Sequence, residues 1–391
     1  MNSAAYKSEM HGHTGSHKVT VGEFWTAKQR QASSLHEISY RACFKPQLPR
    51  YFIERYSNEG DIVYDPFMGR GTTVIEAALL KRHVIGNDIN PLSKILVAPR
   101  LDIPELGEIE GRLKEIELSK ATRAEIDISM FFHPETEMEI VSLRQYLARK
   151  EKDGAEDSFD RWIRMVATNR LTGHSSGFFS VYTLPPNQAT QPKSQIRINR
   201  LRKQTPVYRD IKNIILKKTR TLLNRISERG RENIRSVGPN AQFFSDDARS
   251  VPEIADESVR LTVTSPPFLD IVNYSSDNWL RCWFNGIDAK ATEQRITMSR
   301  TLDEWSAIMG GVFAELFRIT RPGGHVAFEV GEVRNRTVRL EEHVVPIGER
   351  AGFQCEEIFI NSQKFTKTAN IWGIRNNESG TNTNRIVLFR K

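Results

Sequence analysis

Cysteine is scarce in this sequence. Cys43, Cys282 and Cys355 are the only three in 391 residues, and they lie far apart. No Cys-x-x-Cys and no Cys/His metal spacing occurs, which argues against a disulfide framework and a zinc site, so no metal is expected. Long apolar runs are also missing. None approaches the roughly 18 residues of a membrane span, and no charged-then-apolar leader opens the sequence. The expectation is a chain without a membrane partner, in a reducing cytoplasm. Acidic charge falls short of basic charge, 48 Asp+Glu against 56 Lys+Arg, leaving +8. That balance favours a polyanionic partner and says nothing about fold. The phosphate-loop signatures are incomplete too. Gly69-Arg70-Gly71 has no third glycine at the dinucleotide offset, and no Gly-Lys-Ser/Thr follows it.

What the sequence does contain is a glycine turn between two contrasting patterns. The apolar run Ile62-Val63-Tyr64 reads as a buried strand, and the stretch 74–80 reads as a helix. Between them stands Asp65-Pro66-Phe67-Met68-Gly69-Arg70-Gly71-Thr72-Thr73. Strand, glycine turn, helix opens a Rossmann-like unit. The glycines permit a sharp turn and a close ligand approach. Asp65 would repel a pyrophosphate but suits a cationic or amine-bearing cofactor. A second strand, His83-Val84-Ile85-Gly86, ends at Asn87-Asp88, and Asp88 lies 19 positions after Gly69. An acid there can accept hydrogen bonds from both ribose hydroxyls; the competing role is a cap for the helix starting at Pro91.

A second motif follows the apolar strand Val259–Val263: Thr264-Ser265-Pro266-Pro267-Phe268. Asp-Pro-Phe-x-Gly-x-Gly-Thr-Thr resembles the AdoMet-binding motif of DNA amino-methyltransferases. Ser-Pro-Pro-Phe resembles the catalytic motif of their cytosine-N4 branch. No cysteine follows a proline, so the Pro-Cys nucleophile of cytosine-C5 methyltransferases is absent.

The resemblance implies an α/β fold: a Rossmann-like seven-stranded AdoMet-methyltransferase sheet with an inserted, mostly helical target-recognition region. The implied divisions are a disordered tail over 1–19, a cofactor-binding half over 20–100, the insert over 101–238 and a catalytic half over 239–391. The implied cofactor is S-adenosyl-L-methionine (AdoMet). Phe44 and Pro46 would close over its methionine part. Asp65, Phe67, Gly69, Gly71, Thr72 and Thr73 would form its turn, and Asp88 would hold the ribose. Asp247 would bond the adenine amine, with Asp246 as the alternative. In the catalytic motif, the Ser265 hydroxyl and the Pro266 carbonyl would accept hydrogen bonds from the target amine. Pro267 stiffens the turn, and Phe268 would stack on the base. No base within a duplex reaches such a pocket, so base flipping is expected.

The stretch 193–235 holds fourteen Lys/Arg against three acids, a local excess of 11 that exceeds the whole chain's +8. Arg197, Arg200, Arg202, Lys203, Lys217 and Lys218 are the candidate DNA contacts. The partner implied is double-stranded DNA, in a restriction–modification setting whose endonuclease would be a separate chain. Cytosine N4 is the favoured target. Adenine N6 is the alternative, followed by an RNA amine methyltransferase and an inactive DNA-binding relative.

Overall fold

The structure, a computed structural model, describes residues 8–14, 17–22, 24, 32–40, 44–119, 121–184, 190–267, 274–296, 299, 301–330, 332–333, 338–362 and 383–391. Eleven strands occur among them: β1 (Ser8–Thr14), β2 (His17–Gly22), β3 (Ile62–Asp65), β4 (His83–Asn87), β5 (Gln242–Phe244), β6 (Val259–Thr264), β7 (Thr320–Val330), β8 (Glu332–Val333), β9 (Val338–Arg339), β10 (Gln354–Ser362) and β11 (Thr383–Arg390). β8 and β9 form a separate ribbon, and the other nine make one sheet in the order β1-β2-β10-β11-β7-β6-β3-β4-β5. From β5 to β7 the neighbours are parallel, while β11 runs antiparallel to both β7 and β10.

Seven of these strands, β10 through β5 in that order, are the expected sheet. The other two correct an expectation. Residues 8–14 and 17–19, placed in a disordered tail, lie in β1 and β2, which pair with each other, and β2 adds to the edge of β10 with Val19 opposite Ile358. Their polar composition hid a run of β-formers, Val19-Thr20-Val21, whose backbone groups complete the open edge.

Alternation along the strands sorts the core into two faces. Val63, Val84, Ala327 and Leu388 pack on one, with helices from the first two-thirds of the chain. Tyr64, Ile85, Val326, Phe328, Val387 and Phe389 pack on the other. The first face is covered by α1 (Gln47–Tyr56) and α2 (Thr72–Leu79). Beyond them lie α3 (Leu92–Val97), α4 (Leu106–Glu115), α5 (Pro134–Lys152), α6 (Ser158–Arg170), α7 (Pro192–Arg202), α8 (Ile211–Leu223) and α9 (Glu228–Val237). α10 (Tyr274–Phe284) and α11 (Ala289–Arg295) follow the second motif. α12 (Leu302–Ile319) and α13 (Glu341–Arg350) cover the second face.

The region 101–238 is continuous with this core. One apolar cluster runs from Val63 on the sheet through Trp162 of α6 to Ile215 of α8. α9 lies on α2, where the Asn233 amide donates to the Leu79 carbonyl at 2.8 Å. The residues expected as a helix near 251–256 are a turn instead. It is fixed by the Val251 N–H donating to Glu315 at 2.8 Å, and Pro252 withholds a helical donor. β7 also starts earlier than expected, at Thr320, and carries Pro322-Gly323-Gly324 inside it.

Candidate active site

The chain crosses the sheet at β3. From β3 it proceeds through β4 to β5, then returns to the opposite side of β3 as β6. The carboxyl ends of β3 and β6 therefore flank the switch point, where open α/β sheets bind ligands. Asp65 closes β3 and Thr264 closes β6. Both motifs meet there, although nearly 200 residues separate them.

Asp65 is buried. Its carboxylate accepts the Thr264 hydroxyl at 2.7 Å and the Phe67 N–H at 3.1 Å. Burial pushes its pKa up to about 7; the donors from Thr264 and Phe67 pull the other way. The turn after it needs glycine. Gly69 and Gly71 have φ of +48° and +75°, and a Cβ on Gly71 would come within 2.6 Å of the Val97 side chain. Thr73 faces inward and donates to the Val263 carbonyl at 2.9 Å, tying α2 to β6.

A cavity of about 30 Å³ opens at this point, lined by Phe44, Asp65, Phe67, Met68, Gly69, Arg70, Thr72 and Ser265. Six of these are sequence-predicted site residues from three separate stretches. Pro46, Gly71 and Thr73 stand just behind it: Pro46 caps α1, and Gly71 caps α2. Asp88 braces the turn. One of its oxygens accepts the Gly69 N–H at 2.8 Å and the other the Asn90 N–H at 2.9 Å. Burial holds its carboxyl above the usual range. Each oxygen keeps a lone pair for a further donor.

The two acids after β5 part ways. Asp247 is engaged by Arg249, whose guanidinium donates to both carboxylate oxygens at 2.6–3.1 Å. The backbone of Asp246 is clamped by the buried Asn87 amide, and its carboxylate has no hydrogen-bond partner among the described residues.

The Ser265–Pro267 turn is held on both sides. Thr264 anchors it to Asp65, and the Trp305 indole N–H donates to the Pro267 carbonyl at 3.1 Å. Phe268 lies outside the described residues. A group that sequence reasoning missed sits beneath Ser265. Glu329, buried on β7, hydrogen-bonds the Ser265 side chain and also accepts from Asn384. Burial raises its pKa. An acid inside the apolar run His325–Val330 was the available signal.

The basic candidates also divide. Arg197, Arg200, Arg202, Lys203 and Lys217 are exposed. Lys218 corrects its assignment. It is buried at 8% exposure, sits 3.8 Å from Glu37, and burial beside Arg170 pulls its pKa down to about 8. It faces the interior of the protein. No group of three or more His, Cys, Asp or Glu able to hold a metal occurs among the described residues. No helix among them is long and apolar enough to cross a membrane.

This strand order, with β11 the one antiparallel strand among the seven main ones and an acid-and-glycine turn at the switch point, is a Rossmann-like α/β fold. Comparison with known proteins narrows the class. Residues 2–94 match the family model for N6/N4 DNA methylases. Type II methyltransferase M.BsoBI of Geobacillus stearothermophilus is 24% identical over 292 residues, 66% of this chain and 54% of that protein. Type II methyltransferase M.MvaI of Kocuria varians is 25% identical over 59% of this chain and 52% of that one. A shorter stretch of 87 residues, 21% of this chain, is 37% identical to type II methyltransferase M.MjaII of Methanocaldococcus jannaschii and covers 16% of it. These matches make the chain similar to DNA amino-methyltransferases of the N4-cytosine/N6-adenine type. It spans about half the length of the two relatives it matches most broadly and a smaller part of the third.

Proposed function

We propose that this protein transfers the methyl group of AdoMet to the exocyclic N4 amine of cytosine in duplex DNA. The target base would be flipped into the cleft, and the biological role would be the modification arm of a restriction–modification system. The observation that carries the reading is the joint lining of one cavity by Phe44, the Asp65–Thr72 turn and Ser265. Cofactor side and amine side share a wall.

The lining fits AdoMet in its chemistry. Asp65 meets positive charge, Arg70 offers a cation to the methionine carboxylate, and Phe44 and Phe67 supply aromatic faces for a sulfonium. Asp88 takes the ribose, and Asp246, rather than the Arg249-bound Asp247, takes the adenine amine. A volume of about 30 Å³ holds only one or two waters.

AdoMet, when bound, supplies a methyl group already made electrophilic by its sulfonium. The amine is the weak partner, because its lone pair is delocalised into the ring. A Ser265 hydroxyl that donates to Glu329 would leave its oxygen lone pairs to accept an amine N–H. That bond and a second to the Pro266 carbonyl draw the nitrogen toward tetrahedral geometry. Formation of the N–CH3 bond breaks the S–CH3 bond and obliges the nitrogen to release one proton. Ser265 hands it to Glu329. Thr264 and Trp305 keep the turn from drifting, which matters because small misplacements cost large factors in rate.

Serine at position 265 favours cytosine over adenine. Nucleoside mass spectrometry of DNA incubated with the protein and AdoMet tests the reading. N4-methylcytosine is expected. N6-methyladenine would overturn the choice of base, and an absence of methylated nucleosides would overturn the reaction.

A further inference from the structure

The positive charge of 193–235 is not spread over one surface. Part of it is consumed by the fold. Arg225 pairs with Glu37, Arg229 with Glu59 at 3.2 Å, and Arg235 with Glu105 at 2.7 Å. Lys218 is buried, and Lys212 donates to the Ile116 carbonyl at 2.5 Å. Lys193, Arg197, Arg200, Arg202 and Lys203, all on α7 or at its end, have no carboxylate partner among the described residues.

α7 is unusual in a second way. An ordinary surface helix buries an apolar stripe. α7 buries only Gln195. Amides hold it in place: Gln195 and Gln204 both donate to the Tyr182 carbonyl, at 3.0 and 2.9 Å, and Asn199 donates to the Met130 carbonyl at 2.8 Å. Arg202 lies over the Tyr182 ring at 3.8 Å. Its apolar residues point the other way. Five large hydrophobic residues are exposed among the described residues, and four fall in 196–208, led by Leu201 at 74%. On the outward face Arg197 adjoins Leu201, and Ile196 adjoins Arg200, each pair four residues apart.

We infer that α7 is the helix that reads the DNA major groove, with Arg197 and Leu201 as its base-facing pair and Arg200 and Lys203 on phosphates. A fixed helix with a cationic and apolar outer face matches a groove that offers phosphates at its rim and base edges and thymine methyls on its floor. Its position agrees. The Gln191 amide donates to the Ser276 carbonyl at 3.2 Å, and the Trp279 indole donates to the Thr190 carbonyl at 3.3 Å. Both bonds join the start of α7 to α10, the helix that follows the Ser265–Pro267 turn.

The inference rests on the DNA reading above, and its test separates the two. The full chain with AdoMet is given plasmid DNA, and methylated positions are mapped base by base. The variants are Arg197→Ala, Leu201→Ala and, as a control at an exposed position of α8, Arg220→Ala. Both α7 variants bind AdoMet normally, lose about tenfold to a hundredfold on preferred sites, and accept sites that differ by one base. The control keeps the wild-type pattern. Unchanged site preference in both α7 variants overturns the inference. If the wild type methylates no DNA, the proposed reaction fails, and α7 is judged by binding to a short mixed-sequence duplex. A salt slope lowered by about two in Arg200→Ala/Lys203→Ala supports it. Unchanged binding in that variant, or no duplex binding by the wild type, overturns it.

Discussion

The Thr264 hydroxyl donates to the Asp65 carboxylate at 2.7 Å, bridging two strand ends 199 residues apart in the chain. The bond couples the cofactor turn to the residue immediately before Ser265. It also gives a buried carboxylate one of its few donors. Thr264→Val keeps the shape and removes the bond, so Asp65 becomes harder to ionise. Loss of a hydrogen bond to a buried charged group is worth about 1.5–3 kcal/mol. The expected outcome is a lower melting temperature and weaker AdoMet binding at neutral pH, read by thermal shift and calorimetry. Wild-type values for both would sink the coupling.

AdoMet affinity should depend on pH through Asp65. Its carboxyl, raised by burial to about 7, is neutral below that value and charged above it. The cofactor's positive charges favour the ionised form, so binding tightens as pH rises from 6 to 8. Fold stability runs the opposite way. The folded carboxyl holds its proton more firmly than the unfolded one, so this group's contribution falls as pH climbs from about 4 to about 7. Asp65→Asn should bind AdoMet weakly and without that pH dependence, as titration calorimetry at several pH values would reveal.

Ser265→Ala and Glu329→Gln should both slow the chemical step while leaving AdoMet bound. A positioned proton acceptor contributes about 10²- to 10⁴-fold. The two variants act on one hydrogen bond, so the double variant should lose little more than the worse single one. Multiplicative losses in single-turnover methylation would show that the residues act separately.

Lys218→Met should leave the salt dependence of DNA binding untouched. Its ammonium is buried with a pKa lowered to about 8, so the folded state is burdened by charging it at neutral pH. Between about 8 and 10.5 the unfolded chain holds the proton that the folded one has lost, and this group's contribution to stability rises with pH. Removing the charge should raise stability by about 1–2 kcal/mol at pH 7. A reduced salt slope would return Lys218 to the DNA surface.

Much of the site was legible in the sequence because its parts are local. A strand, an acid, two glycines and a helix are adjacent in 62–80, and Ser265-Pro266-Pro267 follows its strand directly. Glycine is required at Gly69 and Gly71 for backbone reasons that the sequence itself expresses. The sheet's seven main strands were readable from the same local patterns.

Relations across the chain were not legible. Lys218 and Arg200 look alike in a count of cations, but one is buried near Glu37 and the other faces solvent. Asp246 and Asp247 are neighbours, and only the Arg249 side chain distinguishes them. The strands of 8–14 and 17–22 needed the open edge of β10 before their pairing had any value. The sequence by itself determined the glycine turn after β3, the proline turn after β6 and the alternation of strand and helix, because each is written in residues that touch their chain neighbours. Tertiary structure alone decided which charges are spent inside the fold, which acid supports Ser265 and which helix is left facing outward, because burial and pairing depend on partners far away in the sequence.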